Sequence, residues 1–584
     1  MRKTKIICTL GPSTDDESML EKMMLAGMNV ARLNFSHGTY EEHKKRMDSV
    51  KKLREKHNLP IPIMLDTKGP EIRIKTFKES PVKIERGQKF TFTTEELEGD
   101  NTIVSITYAE LLKDISRGNR ILVDDGLVGF RVDEITDKDI ICTAMNDGSL
   151  SNRKSINIPG VPVKMNYMSE TDKADIIFGI GEDVDVIAAS FVRTAYDILE
   201  IRKVLEENGG QNIKIIAKIE NNEGVSNIDE IIKVSDGIMV ARGDMGVEIP
   251  FEQLPGIQKM LIKKCYTVGK VVITATQMLE SMIKNTRPTR AETTDVANAI
   301  YDGTSGIMLS GETAVGIHPD LVVATMSLIA ENTEKNINYR KRFESRENIS
   351  SPNVADAISH ATCTTAHDLS ATAIITVTKS GQTARMLSKF RPACPIIATT
   401  VSKKVFRQLS LSWGVTPLMC EEKYTTDELF EHAVDIATQN GYVKNGDIVV
   451  ITAGMPVGIS GNTNVLKVHL VGHVLVSGSS VNDLNVSGKL CVAEDESEAL
   501  ANFCDGDILV IKKTSNTLLR ILKRASGIIT EEDGSMSHGA IVGMTLNIPV
   551  ITGAKGATTL LKTGTTVTMD SARGLVYSGV VKIM

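Results

Sequence analysis

The sequence predicts an α/β protein whose largest part is a closed (β/α)8 barrel, interrupted once by a small β domain and followed by two further units. Three observations predict it. Short apolar runs recur at strand length, segments with helical periodicity separate most of them, and the alternation breaks once for about 100 residues. The runs are KIICTL (5–10), NVARLNF (29–35), IPIML (61–65), DVIAASF (185–191), IKIIAKI (213–219), DGIMVA (236–241), VVITAT (271–276) and SGIML (305–309). Continuous apolar strands mark a parallel sheet covered on both faces, and eight of them suit closure into a barrel; an open doubly wound sheet is the alternative. The expected helices include residues 15–26, 40–56, 195–207 and 252–268.

The break falls between the third and fourth runs. There VKIERGQKFTFTT and NRILVDDGLVGFRVDEI alternate in the manner of hairpin strands. A β domain inserted after a barrel strand sits on the face where barrel active sites lie, so it is placed to act as a lid. Beyond residue 340 new strands are expected at 371–378, 394–400 and 447–454, in an α/β domain ending near Val471. The Ser/Gly/Asn-rich stretch 473–487 reads as a linker, and residues 488–584 as a fourth unit.

At 584 residues the chain exceeds what one core can organise. With 67 basic against 73 acidic residues there is no electrostatic footprint for nucleic acid, so an anionic ligand must be held by local groups. Eight dispersed cysteines never reach CxxC spacing, which excludes a zinc or disulfide framework. MRKTKIICTLGPS turns polar too soon for a signal peptide, and no apolar run is long enough to span a membrane. A cytoplasmic location without membrane partners is the expectation.

The chemistry is expected where the runs end. Lys218 and Glu220 stand two apart, on one side of a strand, and Asp244 follows the next strand beside Gly243 and Gly246. Two carboxylates and an ammonium on neighbouring strand ends form a candidate Mg²⁺ site with a neutraliser for a phosphoryl group; a surface salt-bridge cluster is the plain alternative. Arg32, Asn34, Ser36, His37, Asp66, Thr67 and Arg73 end the second and third runs, and Thr276 the seventh. They offer two guanidinium groups for phosphate and several oxygens for a hard monovalent cation. Singly, such Ser, Thr and Asn residues are more often helix caps. Their convergence on one barrel mouth is what favours a site.

ARLNFSHG, LDTKGPEIR, IIAKIEN, MVARGDMGVEIP, TATQMLESM and MLSGETAVG, in this order and spacing, resemble the pyruvate kinase family over residues 1 to about 472. The resemblance implies a TIM barrel of residues 1–69 and 168–340, a lid of 70–167 built as a small β-barrel, and an α/β regulatory domain of 341–472. It implies transfer of a phosphoryl group from phosphoenolpyruvate to ADP, giving pyruvate and ATP, the last step of glycolysis. Mg²⁺ (or Mn²⁺) would bind Glu220 and Asp244. Arg32, Lys218, Thr276, Gly243 and Asp244 would hold phosphoenolpyruvate, with Lys218, Arg32 and Thr276 acting on the reacting groups. Asn34, Ser36, Asp66 and Thr67 would bind K⁺, and Asn34, His37, Arg73 and Lys154 would face the nucleotide. Glu71 matches the residue type of K⁺-dependent members. A homotetramer is the expected assembly.

The polar turn of Thr378, Lys379, Ser380, Gly381, Gln382 and Thr383 resembles the phosphate-binding loop of the family's effector site; an ordinary capped helix start is the alternative. A phosphorylated metabolite is the expected activator. ITEEDGSMSHGAIVGMTLNIPVITGA resembles the swivelling phosphohistidine domain of phosphoenolpyruvate-utilising enzymes such as pyruvate phosphate dikinase. His538 is then a candidate phosphohistidine, although Asp533-Gly534 and Gly539 depart from that pattern. Without a dikinase nucleotide domain to load it, a structural or regulatory role is the stronger expectation. Two rival readings are a C–C lyase on the same barrel and a metabolite sensor without catalysis. The lid and Arg73 and Lys154 oppose the first; intact Lys218, Glu220, Asp244 and Thr276 oppose the second.

Overall fold

The computed structural model describes residues 1–345, 353–423, 425–454, 463–472 and 474–581. They fall into two compact units, Met1–Asp356 with Thr378–Glu421, and Ala357–Val377 with Glu422–Met584.

The first unit is built on a closed barrel of eight parallel strands: β1 (Lys5–Thr9), β2 (Val30–Asn34), β3 (Ile63–Asp66), β4 (Val186–Ala189), β5 (Lys214–Ile219), β6 (Gly237–Ala241), β7 (Val271–Ala275) and β8 (Gly306–Leu309). Each lies within, or one residue beyond, one of the eight apolar runs, and β8 pairs with β1 to close the ring. The expected helices appear as Glu17–Ala26, Tyr40–Lys56, Ala195–Glu207 and Leu254–Thr267. Their starts follow local chemistry. Thr39 accepts a hydrogen bond from the Glu42 N–H while Glu42 reaches back to the Thr39 N–H, a reciprocal cap that sets where the second helix begins.

Alternation along the strands sorts side chains into two cores. Ile6, Cys8, Ala31, Leu33, Ile215, Ala217 and Ile219 pack outward against the helices. Ile7, Val30, Met64, Val186, Ala188, Ile216 and Met239 fill the interior. Successive strand residues face opposite sides, so the interior face continues upward to Thr9, Arg32, Asp66, Ser190 and Lys218. A polar layer therefore caps an apolar one at the C-terminal mouth.

The lid leaves after β3 and returns before β4. Its seven-stranded sheet runs in the order Ile72–Arg73, Ser155–Asn157, Arg120–Val123, Val128–Ile135, Asp139–Ala144, Lys89–Thr93, Ile103–Ser105. A bridge between Ile74 and Ile106 joins the first strand to the last, giving barrel-like closure. Phe90, Phe92 and Phe130 form its centre, with ring centroids 5.1–5.2 Å apart.

Residues 341–472, expected as one α/β domain, contribute to both units. The part from Thr378 to Glu421 contains the parallel pair Ile396–Thr400 and Val415–Met419 and is fastened beneath the barrel. Arg407 pairs with buried Asp185 at 2.7 Å, Gln408 donates to the carbonyls of Asp185 and Asn212, and Leu411 joins the interior cluster. In the second unit, Ala373–Val377 pairs parallel with Ile448–Gly454, which pairs antiparallel with Thr463–Leu470.

The second unit also holds an eight-stranded sheet that includes the segment expected as a linker. Val474–Ser477 pairs with Leu575–Ser578, Ser479–Ser480 with Val550–Thr552, and Asn485–Val492 lies in the centre. His473 lies outside the described residues. The composition misled because these end strands are short and bury little: Val476 is buried, while Val474, Ser477, Ser479 and Ser480 are exposed. No described helix is long and apolar enough to cross a membrane.

Lys5 on β1 is buried and donates to the Val415 carbonyl at 2.7 Å. Burial, reinforced by Arg2 and opposed by Glu334, pushes its ammonium down to about 7 from an ordinary 10.5. Above pH 7 the unfolded chain therefore holds a proton that the folded chain has released, and this group adds stability as pH rises from about 7 toward 10.5. Lys5→Met cannot respond to pH in this way. The difference in thermal midpoint between it and the parent is expected to shift in the parent's favour between pH 7 and about 9.5.

Candidate active site

The buried carboxylate of Asp66, 0% exposed, organises the mouth. Its Oδ2 pairs with Arg32 Nε at 2.6 Å and its Oδ1 with Lys218 Nζ at 3.0 Å. Burial alone would raise its pKa, but the Arg32 and Lys218 charges outweigh that and hold it below the usual carboxylate value. Arg32 also donates to Thr9 Oγ1 at 2.8 Å. Two cations from strands β2 and β5 are thus aligned by one anion from β3.

Lys218 extends further contacts, 2.6 Å to Ser190 Oγ and 3.1 Å to Glu220 Oε1. Burial favours its neutral form, yet Asp66 and Glu220 together raise its pKa above the ordinary value, so it is a fixed positive charge. Glu220 is the least settled member. Its Oε2 accepts the Phe191 N–H at 2.5 Å, whereas buried Oε1 makes no hydrogen bond, the nearby lysine not being aligned for one. Burial, eased by Lys218 and aggravated by Asp244, pushes this carboxyl up to about 7.

Asp244 lies in the first turn of the helix Arg242–Glu248, directly after β6, and bears electrostatically on both Lys218 and Glu220. It lines a cavity of about 250 Å³ between lid and mouth, together with Glu71, Asn157, Phe191 and Glu248. A buried carboxylate oxygen without a hydrogen bond beside a second carboxylate fits a divalent cation. Among the described residues no three His, Cys, Asp or Glu side chains cluster as a metal cage, so such an ion would complete its shell with water or substrate oxygens.

Thr276 follows β7 with φ +69°, and Gln277 with φ +52°. Its hydroxyl donates to the Ala275 carbonyl at 2.6 Å and accepts from the Gly243 N–H at 2.8 Å, joining the ends of β6 and β7. Arg242 reinforces that junction, donating to the Thr276 carbonyl at 2.6 Å and pairing with Asp295.

Of the residues expected to bind K⁺, Asn34 and Asp66 are cross-strand neighbours on β2 and β3. Thr67 follows, accepting from the Ser190 N–H at 3.2 Å. Asn34 Oδ1 accepts from the Ser36 N–H at 3.1 Å. These hard oxygens at adjacent strand ends suit a monovalent cation. Arg73 and Lys154 come together across paired lid strands, the Ile74 N–H donating to the Lys154 carbonyl. Arg73 is held by Glu71 at 2.6 Å and Lys154 by Asp124 at 2.8 Å. The His37 ring is exposed, and its carbonyl contacts His43 Nε2.

Away from the mouth, Thr378 Oγ1 accepts the Gly381 N–H at 3.0 Å, and Gly381, at φ +78°, caps the helix Gln382–Lys389. Arg385 in that helix donates to the Ser380 carbonyl. His538 opens the helix His538–Leu546, its Nδ1 2.9 Å from Thr514 Oγ1 and its Nε2 3.1 Å from Asn516 Oδ1.

The motifs left β4 without a site residue, yet Ser190 and Phe191 sit at the heart of the mouth. The signal was present in DVIAASF: Val186 and Ala188 face inward, so Ser190 must as well.

A closed barrel bearing a locked lysine, arginine and aspartate beneath a lid defines the class of (β/α)8 barrels with a charged site at the C-terminal mouth. Residues 1–323 match the family described as pyruvate kinase, barrel domain, residues 356–469 pyruvate kinase, alpha/beta domain, and residues 503–574 PEP-utilising enzyme, mobile domain. A pyruvate kinase of Sporosarcina psychrophila is 49% identical over 584 residues, covering 99% of each chain. One of Geobacillus stearothermophilus is 48% identical over 580 residues, also covering 99% of each. The crystal structure of a pyruvate kinase from Cryptosporidium parvum superposes with TM-score 0.76 at 40% identity, covering 80% of this chain and 96% of that one. The chain belongs to the pyruvate kinase family.

Replacing Asp66 by Ala strands two buried cations. The loss is expected to be about 3 kcal/mol or more, read as a lowered thermal midpoint of the whole chain.

Proposed function

We propose that this chain transfers the phosphoryl group of phosphoenolpyruvate to ADP, yielding pyruvate and ATP. The observation that carries the reading is the Arg32–Asp66–Lys218 triad, which holds two cations beside Glu220 and Asp244. In-line transfer between two polyanions is opposed by repulsion, so the protein's task is positioning and neutralisation. Lys218 and Arg32 meet the phosphoryl oxygens, and the backbone at Gly243 and Asp244 with Thr276 receives the rest of the substrate. Mg²⁺ held by Glu220 and Asp244 would supply further charge on the phosphoryl oxygens. K⁺ among Asn34, Ser36, Asp66 and Thr67 would supply a monovalent charge that the chain does not itself provide.

The bond between phosphorus and the enol oxygen breaks as a β-phosphate oxygen of ADP bonds to phosphorus. His37, Arg73 and Lys154, with Asn34, face that nucleotide from the barrel rim and the lid. The enolate left behind takes a proton at carbon. Thr276 lies closest to this step by its place in the motif, but its hydroxyl already serves Ala275 and Gly243, so it orients a water rather than surrendering its own proton.

We assign the turn 378–383 to a phosphorylated metabolite that activates the enzyme, and the assembly to a homotetramer. For His538 we propose a structural or regulatory role, because both ring nitrogens are engaged within its own domain. Incubation with labelled phosphoenolpyruvate is expected to leave no acid-labile label that disappears in His538→Ala.

Pyruvate and ATP are expected to appear in equal amounts only when phosphoenolpyruvate, ADP, Mg²⁺ and K⁺ are all present, each being omitted in turn. Replacing K⁺ by an organic cation should lower turnover roughly tenfold or more. Lys218→Met should lower kcat at least ~100-fold with a smaller change in Mg²⁺ affinity; near-normal turnover would refute the assignment.

A further inference from the structure

The turn that follows β4 has no assigned part in the reaction, yet it contacts Asp66, Thr67, Lys218 and Glu220. Ser190 is 2% exposed. Its Oγ receives a Lys218 N–H at 2.6 Å and lies 2.6 Å from the Thr67 carbonyl and 3.1 Å from Asp66 Oδ1. A hydroxyl has one proton, which goes to one of those two oxygens, leaving its lone pairs to face the ammonium. Two of the three Lys218 N–H directions are thereby set, by Asp66 Oδ1 and Ser190 Oγ. Glu220 Oε1, 3.1 Å from the ammonium, is out of hydrogen-bond alignment with it, so the third N–H is not engaged there. The next residue, Phe191, adopts φ +53° and gives its N–H to the other Glu220 oxygen.

Both ends of the lid meet this turn. Tyr167 is buried, and its hydroxyl donates to the Ser190 carbonyl at 3.0 Å. Gly69, at φ +73°, packs so closely that a Cβ there would stand 2.8 Å from the same carbonyl oxygen. Arg193, three residues on, holds the carbonyls of Val163 and Met165 at 2.8 Å each, on the lid's return segment.

We propose that Ser190 is a positioning residue for phosphoryl transfer: its hydroxyl orients the Lys218 ammonium, and its carbonyl ties that orientation to the lid hinge through Tyr167. The proposal rests on the phosphoryl-transfer reading above. A lysine on a four-carbon stem loses its aim without such a brace, and an ammonium misdirected from the developing charge costs rate rather than binding.

The test is steady-state kinetics of the full-length enzyme with phosphoenolpyruvate and ADP. Ser190→Ala is expected to lower kcat on the order of tenfold or more, with KM for ADP within about twofold and only a modest fall in thermal midpoint. Ser190→Thr, which keeps the hydroxyl, should recover most of the loss. Ser190→Cys keeps the size with a weaker acceptor and should lose kcat as Ala does, so it decides the question should the alanine variant not fold. Tyr167→Phe should lower kcat several-fold in the parent but add little in Ser190→Ala, because the two act through one carbonyl-to-hydroxyl link. A kcat in Ser190→Ala within about twofold of the parent overturns the proposal, as does a loss shared with the thermal midpoint that Thr does not relieve. Additive effects of Tyr167→Phe overturn the hinge connection. A parent enzyme without turnover would instead defeat the phosphoryl-transfer reading, so the two failures are told apart.

Discussion

The mouth of this barrel depends on a single buried anion. Asp66 pairs with an arginine and a lysine from different strands and holds both where they are buried. Everything downstream inherits that geometry. Lys218 can be a permanent cation only because Asp66 and Glu220 face it, and Glu220 in turn is left with one oxygen that no N–H or O–H satisfies. The site thus holds its electrostatic tension in one carboxylate, the group expected to meet a metal ion. This suits a reaction in which charge must be neutralised without reorganisation at the moment of transfer.

The lid adds enclosure to this fixed charge. Its closed sheet has its own aromatic centre, and Gly69 at one end and the stretch from Val163 to Tyr167 at the other are fastened to the β4 turn. Arg73 and Lys154 belong to the lid, each neutralised by its own carboxylate partner, Glu71 or Asp124. An incoming polyphosphate would compete with those partners.

The C-terminal sheet belongs to the family of mobile phosphoenolpyruvate-utilising domains by sequence, but its histidine is settled between Thr514 and Asn516. Gly539, where the resembled pattern carries Ala, leaves only 3.2 Å between a notional Cβ and both Thr514 and Thr530. The departure and the threonine contact are therefore parts of one local packing arrangement around His538.

Much of this was determined by the sequence alone. Eight apolar runs became eight barrel strands because a strand buried on both faces must be apolar throughout, and that pattern is local. The pairing of Lys218 with Glu220 on one side followed from the two-residue repeat of a strand, and the motif order carried the family. Tertiary structure alone decided the rest. In sequence Asp66 is only a candidate oxygen ligand, and only the closure of β2, β3 and β5 into one ring makes it the partner of Arg32 and Lys218. Ser190 carries no local signal of its role, because its neighbours at 67, 69, 167 and 218 lie far away in the chain. The stretch after residue 473 looks like a linker in sequence because the backbone pairing that makes Val474–Ser477 an end strand is supplied by a partner about 100 residues further on. Local patterns record which face of an element is buried; which elements meet there is set by closure of the chain on itself.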